Sequence, residues 1–398
     1  MNKRKVMLAI GILSMNLLIM SGTVVGAAIA VIAESFPNEP ISKVQMLSSI
    51  SQLGQLAATL LFTWVTYKIT KKNIGLISVA IVAISGLIPV FYNNSINIIL
   101  ACMVALGVGV GFIANVSPVL LREHFDGEDR ASVMGWSIGV NSFGRMAFTA
   151  IGGVLGRNSW TNLFWVYGAA IIVLLMVWIT VPKDVKNTQA DSKDQSKSSI
   201  FEKLYNLNGY IFAILLITFF TSLVITTFIV NQSILLHAKG NGTAYTASVT
   251  AAGSIGGICT AFGLKYIRKL TKTNTIAWGF LAFALSYACI AFFGNPLIHV
   301  FGNIVSGMGI VLVNATIPFE LSLLTSHDEF PAIIAMNTFV SSIAGVAAPI
   351  LLAAINIPAG SASFFAGIIL SVITALTLFS LQLGRRIENS CAAKAQSS

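Results

Sequence analysis

The stretch Pro182-Lys183-Asp184-Val185-Lys186-Asn187-Thr188-Gln189-Ala190-Asp191-Ser192-Lys193-Asp194-Gln195-Ser196-Lys197, which continues to Leu207, is charged and polar in a chain that is otherwise apolar. Six apolar stretches precede it, at residues 6–33, 43–66, 74–92, 96–121, 131–155 and 160–181. Six more follow it, at 208–235, 243–264, 275–293, 296–324, 331–356 and 361–383. Most reach the ~20 residues that cross ~30 Å of hydrocarbon, where only a helix or a closed barrel satisfies its own backbone groups. The expected fold is an all-α membrane protein of twelve transmembrane helices in two pseudo-symmetric six-helix bundles, 1–181 and 208–384. A solvated cytoplasmic linker, 182–207, joins them, and a cytoplasmic tail, 385–398, follows.

Composition agrees, because 56% hydrophobic and 10% charged residues leave too little polar surface for a soluble particle of 398 residues. Lys3, Arg4 and Lys5 precede the first apolar run, as in a signal peptide, but the run is too long for a signal core and eleven more follow. With the N-terminus inside, 20 of the 24 Lys and Arg residues fall on the cytoplasmic side and only Lys43, Arg157 and Lys239 outside. This bias predicts a multi-pass protein of the cytoplasmic (plasma) membrane with both termini cytoplasmic. It also accounts for the net charge of +10 without a nucleic-acid partner. Cys102, Cys259 and Cys289 lie within spans and Cys391 in the tail, while His124, His237, His299 and His327 lack ligand spacing, so no disulfide, metal or other cofactor is expected.

The halves repeat at a shift of about 200 residues. Tyr67 to Asn73 after the second span corresponds to Tyr266 to Asn274 after the eighth, and Asn115 and Pro118 correspond to Asn314 and Pro318. Such repeats around a midplane site underlie alternating access in secondary transporters. Two six-span halves, a basic loop between spans two and three and a glycine-rich fourth span resemble the major facilitator superfamily, over the whole chain and nearest its drug-efflux-like branch. The family pattern Gly-x-Leu-x-Asp-Arg-x-Gly-Arg-Lys reads here Thr63-Trp64-Val65-Thr66-Tyr67-Lys68-Ile69-Thr70-Lys71-Lys72. The basic residues persist, whereas Tyr67 replaces the Asp and threonines replace the glycines. The Arg of proton-coupled drug exporters in span four falls on Met103. The antiporter pattern of span five reads Gly144-Arg145-Met146-Ala147-Phe148-Thr149-Ala150-Ile151-Gly152-Gly153, without its Gly-Pro pair.

Arg145 lies 14 residues beyond the start of the expected fifth span, ~21 Å along ~37 Å of helix. An Arg at that depth costs at least ~2.5 kcal/mol, so it requires an interior position and a counter-charge or acceptors. The acids fall in loops, tails or span ends, with Glu320 late in span ten the one candidate exception. The expected partner of Arg145 is therefore an anionic substrate held by the guanidinium fork, with Asn141 one turn earlier, and the competing reading is a structural strut. Asn115, Asn314, Asn16, Gln52 and Asn337 are further candidates for lining the site, with Gln55, Asn231 and Gln232 beside them. Glu320, Lys68, Lys71, Arg130 and Arg268 are candidates for gating or coupling. Gly107 and Gly111, with Asn115, recur every four residues, and Gly152 and Gly153 are adjacent; these are expected at close helix contacts. Gly135-Trp136-Ser137-Ile138-Gly139 fits the nucleophile-elbow spacing but falls in an apolar helix, so no catalysis is read from it.

The function expected is secondary transport of a small amphipathic organic solute, an organic anion, by efflux or exchange, with protons or a counter-substrate as the drive. The transporter would be a monomer in the bilayer and not an enzyme. The alternatives are a proton-coupled multidrug antiporter, disfavoured by the acid missing from span one, and a non-transporting membrane sensor.

Overall fold

A computed structural model describes residues 3–125, 127–182, 209–325, 330–387 and 389. The linker beyond Pro182, most of the tail including Cys391, His327 and the side chain of Arg130 lie outside the described residues. Every regular element among those residues is helical. The order is α1 (Lys3–Asn16), a 3₁₀ segment (Ser21–Ala28), α2 (Ile29–Ser35), α3 (Ile41–Gln45), α4 (Ser51–Lys68), α5 (Lys71–Phe91), α6 (Ile96–His124) and α7 (Gly127–Leu155). A further 3₁₀ segment (Trp160–Gly168) leads into α8 (Ala169–Thr180). Then come α9 (Gly209–Ala238), α10 (Thr243–Thr271), α11 (Thr275–Phe292), α12 (Pro296–Leu324), α13 (Phe330–Ala354) and α14 (Ser361–Leu381).

Among the described residues, ten helical stretches are long and apolar enough to cross a membrane. The other two expected spans form as α3 with α4 and as α7, and these carry Gln52, Gln55, Asn141 and Arg145. The chain divides into two compact units, Met1–Gln189 with Ile229–Ser254, and Ala190–Phe228 with Ile255–Ser398. The end of α9 and the start of α10 thus pack with the first six spans.

Span one departs from the single helix expected over 6–33. Residues 17–20 form turns, with Leu17 and Leu18 N–H donating to the Ser14 and Met15 carbonyls, and the 3₁₀ segment follows. The local cause is a run of weak helix formers, Gly22, Thr23, Val24, Val25 and Gly26, after Ser14, whose hydroxyl donates to the Gly11 carbonyl at 2.8 Å. At membrane depth such backbone is tolerated only inside protein or beside a water-filled cavity. Gly144 of α7 lies against it: a Cβ there would sit 2.4 Å from the Leu17 carbonyl oxygen.

Each unit contains the same aromatic knot. In the first, the ring of Tyr167 covers Gly86 of α5 and its hydroxyl donates to the Ser21 carbonyl at 2.9 Å. In the second, the ring of Tyr287 on α11 covers Gly367 of α14, and its hydroxyl donates to the Val224 carbonyl at 2.6 Å. Tyrosine and glycine have exchanged places between spans three and six on one side and nine and twelve on the other. The repeat therefore preserves a packed shape while its residue identities swap. Tyr167→Phe and Tyr287→Phe are each expected to cost about 1 kcal/mol, because each removes one buried hydrogen bond. Gly86→Leu and Gly367→Leu should cost more by displacing the ring. Melting temperatures in detergent check the ranking.

Candidate functional site

Arg145 is the nineteenth residue of α7, ~27 Å along a helix of ~42 Å, because the helix begins at Gly127, before the expected start. It is half-buried and makes no hydrogen bond or ion pair among the described residues. Ser137 and Asn141 precede it at intervals of four, so the three form one stripe on α7. The Asn16 amide, at the C-terminal end of α1, donates to the Ser137 hydroxyl. This bond fixes the start of the break in span one beside the stripe, and the Gly144 contact fixes its next residue. The Oδ1 atoms of Asn16 and Asn141 are both buried with no hydrogen-bond partner. Cationic head, two amide oxygens and irregular backbone together make a polar locus within the apolar depth of the first unit.

A second polar locus lies in the other unit. Arg268 of α10 donates to the Ala315 carbonyl at 2.9 Å and to the Thr316 hydroxyl at 3.3 Å, and its guanidinium sits 4.7 Å from the centre of the Phe319 ring. Glu320, 7% exposed, lines with Arg268, Lys272 and Thr316 a cavity of about 430 Å³ that Gly384 and Ile387 also border. In the first unit the corresponding base, Lys71, is 7% exposed and pairs with Glu123 of α6. Each unit thus has a base near the end of its second span and an acid late in its fourth, joined as an ion pair in the first unit and lining one cavity in the second. This explains how the basic loop survives without the acid of the family pattern: Glu123 supplies the charge from another helix. Lys72 donates to the Trp178 carbonyl at 2.9 Å and to that of Val181, capping the end of α8. Lys68 is exposed, its ammonium 4.1 Å from the Trp64 ring centre.

The glycine stripe of span four faces α4. A Cβ on Gly107 would lie 2.0 Å from the Ser51 carbonyl oxygen, and one on Gly111 would lie 2.7 Å from backbone of Gln55. Asn115 extends the stripe, donating to the Thr59 hydroxyl at 3.0 Å and the Gly111 carbonyl at 2.8 Å. Gly152 lies against Val24, and Gly153 against Ala247 of α10. Asn337 accepts from the Thr218 hydroxyl at 2.6 Å, Asn314 is exposed on α12, and Gln52 is half-buried on α4. Asn314 and Asn337 both belong to the second unit.

Two serines escaped the sequence reading. Ser137 was visible as part of the elbow-like pattern, yet its informative spacing is to Asn141 and Arg145, four and eight residues on. Ser233 of α9 caps α2 from another helix. Ala28, at the N-cap, offers no side-chain bond, and Ser233 instead accepts from the Ala30 N–H at 3.2 Å and donates to the Ala27 carbonyl at 2.9 Å. Beside it Gln45 donates to Asn231 at 2.9 Å, and Thr250 to Gln232 at 3.3 Å. Ser233→Ala is expected to lower stability by about 1–2 kcal/mol, the worth of a cap. Thermal unfolding should register it, and an unchanged transition would remove Ser233 from this role.

The family model described as Major Facilitator Superfamily matches residues 11–349. No curated protein matches the chain. Among solved structures, a mutant of the nucleoside transporter NupG aligns with TM-score 0.77 at 12% identity, covering 95% of this chain and 99% of that one. The inward-open xylose transporter XylE from E. coli aligns with TM-score 0.73 at 13% identity, covering 94% and 95%. A bacterial homologue of the human lysosomal transporter Spinster gives 0.66 at 12%, covering 98% and 99%. At these identities the likeness concerns the fold alone.

Proposed function

We propose a carrier of organic anions, proceeding from the fact that this chain belongs to the Major Facilitator Superfamily and is a multi-pass membrane transporter, not an enzyme. The observation that carries the proposal is Arg145: a cation within a membrane span, half-buried, with no protein acid or acceptor bound to it among the described residues. A guanidinium is charged at every accessible pH, so the missing counter-charge is assigned to the solute. Asn141 and Asn16 orient it, and alternation of the two halves moves it by efflux or exchange. The charge bias supports placement in the cytoplasmic membrane with both termini inside, with bundles 1–181 and 208–384 acting as a monomer. The polar, charged composition of 182–207 supports a tethering role for it.

Counterflow in proteoliposomes tests the proposal. A panel of labelled amphipathic anions and lipophilic cations is offered to wild type and to Arg145→Ala. Anion counterflow lost in the variant is the expected result. Cation transport indifferent to the substitution would replace this reading with multidrug efflux.

Proton coupling is a second reading, and Glu320 favours it. Its buried carboxylate lines a cavity beside Arg268, which suits a group that exchanges a proton as its surroundings change. Uptake driven by an imposed pH gradient should then vanish in Glu320→Gln while counterflow, which needs no net drive, persists. Gradient-driven uptake that survives the substitution would exclude Glu320 as the coupling group.

A further inference from the structure

Asn16 and Asn141 each bury a carboxamide oxygen that no hydrogen bond reaches. Asn16 is 1% exposed and its amide nitrogen is committed to Ser137. A buried acceptor without a donor bears the full desolvation cost of the group. Both oxygens belong to the Arg145 locus. Asn141 stands one turn from Arg145 on α7, and Asn16 is tied to Ser137, one turn further along. Arg145 offers only donors, whereas the two oxygens only accept. A plain carboxylate takes two of the guanidinium's five N–H donors and has no donor of its own to offer either oxygen.

We infer that the solute is an organic anion that also carries a hydrogen-bond donor, a hydroxyl or a protonated amine, within about one helical turn (~5–6 Å) of its anionic group. Hydroxy acids and amino acids fit this description; plain carboxylates do not. The inference rests on the reading of Arg145 as the anion anchor and adds the second half of the recognition, the donor end. A site whose buried polar groups demand a partner rejects the analogue that lacks one far more strongly than an apolar pocket does.

Two matched series test this with the full-length protein in proteoliposomes. One is 3-phenylpropionate, 3-phenyllactate and phenylalanine; the other is propionate, lactate and alanine. Members of a series share a carbon skeleton and differ in bearing hydrogen, hydroxyl or ammonium beside the carboxylate. The expected result is counterflow that depends on Arg145 and favours a donor-bearing member by roughly tenfold or more, the worth of one buried polar group left unpaired. Asn141→Leu should bring that ratio towards one. Equal, Arg145-dependent counterflow across a series would overturn the donor requirement and leave the anchor standing. No Arg145-dependent counterflow in either series would overturn the anchor and this inference with it. The wild-type comparison involves no substitution, so misfolding of Asn141→Leu leaves the test decisive.

Discussion

Arg145→Lys is expected to reduce anion counterflow at least tenfold although the charge is retained. If Arg145 served only to place a positive potential in the span, lysine would do nearly as well. The proposed role is narrower. A guanidinium presents planar, paired donors that match both oxygens of a carboxylate, whereas an ammonium is a compact point charge that is strongly hydrated and binds one oxygen well. Removing it from water to the depth of α7 costs more, and each missing charged hydrogen bond is worth about 1.5–3 kcal/mol, which corresponds to roughly 10- to 150-fold in affinity. The side chain also projects from α7 one residue after Gly144, where the helix is pressed against the Leu17 carbonyl. The backbone at that point has little freedom to adjust to a head of different shape. Counterflow rates and competition by unlabelled anion, measured on Lys and Ala variants together, separate the two roles. A Lys variant that transports like wild type would reduce Arg145 to a source of potential.

Much of this architecture was legible because bilayer physics leaves few options. Apolar runs of sufficient length had to be helices, and glycine at intervals of four on span four had to mark a close approach, here to α4. The break in span one was less legible. Its apolar residues read as a continuous helix, and the weak helix formers Gly22 to Gly26 are joined there by tertiary contacts that the sequence does not display: the Asn16–Ser137 bond, the Ser233 cap on α2 and the Gly144 contact each join residues distant in sequence. Ser233 carried no local signal, since a serine in an apolar helix usually bonds its own carbonyls. Arg145 was conspicuous for its charge, but which amides accompany it depended on helix rotation. The tyrosine knots were hidden for another reason. The repeat conserves the packed pair and the hydroxyl bond while exchanging the partners, so a comparison of aligned residues sees only mismatches at Gly86 with Tyr287 and at Tyr167 with Gly367.

Gly107→Val is expected to cost more than ~4 kcal/mol and to prevent accumulation of folded protein. The first added carbon, Cβ, would lie 2.0 Å from the carbonyl oxygen of Ser51 and 2.7 Å from its carbonyl carbon, so the obstacle is backbone and no rotamer change relieves it. The reciprocal contact is equally tight, for a Cβ on Gly54 would lie 2.2 Å from the Val104 carbonyl oxygen. α4 and α6 therefore meet backbone to backbone. Relief requires the helices to separate by more than an ångström, and the contacts along Gly111 and the Asn115–Thr59 bond open together. Water gains nothing by leaving a helix pair already in lipid, so this close packing is much of what holds the two helices together. Its loss is a large share of a stability of ~5–15 kcal/mol. Gly139→Ala is the control on α7, since nothing lies within 4 Å of a Cβ there. Fluorescence-detected size-exclusion profiles should show a monodisperse Gly139→Ala peak and an aggregated or absent one for Gly107→Val. A normal Gly107→Val profile would mean that α4 and α6 are not packed as described, and the tight glycine seam of the first unit would have to be redrawn.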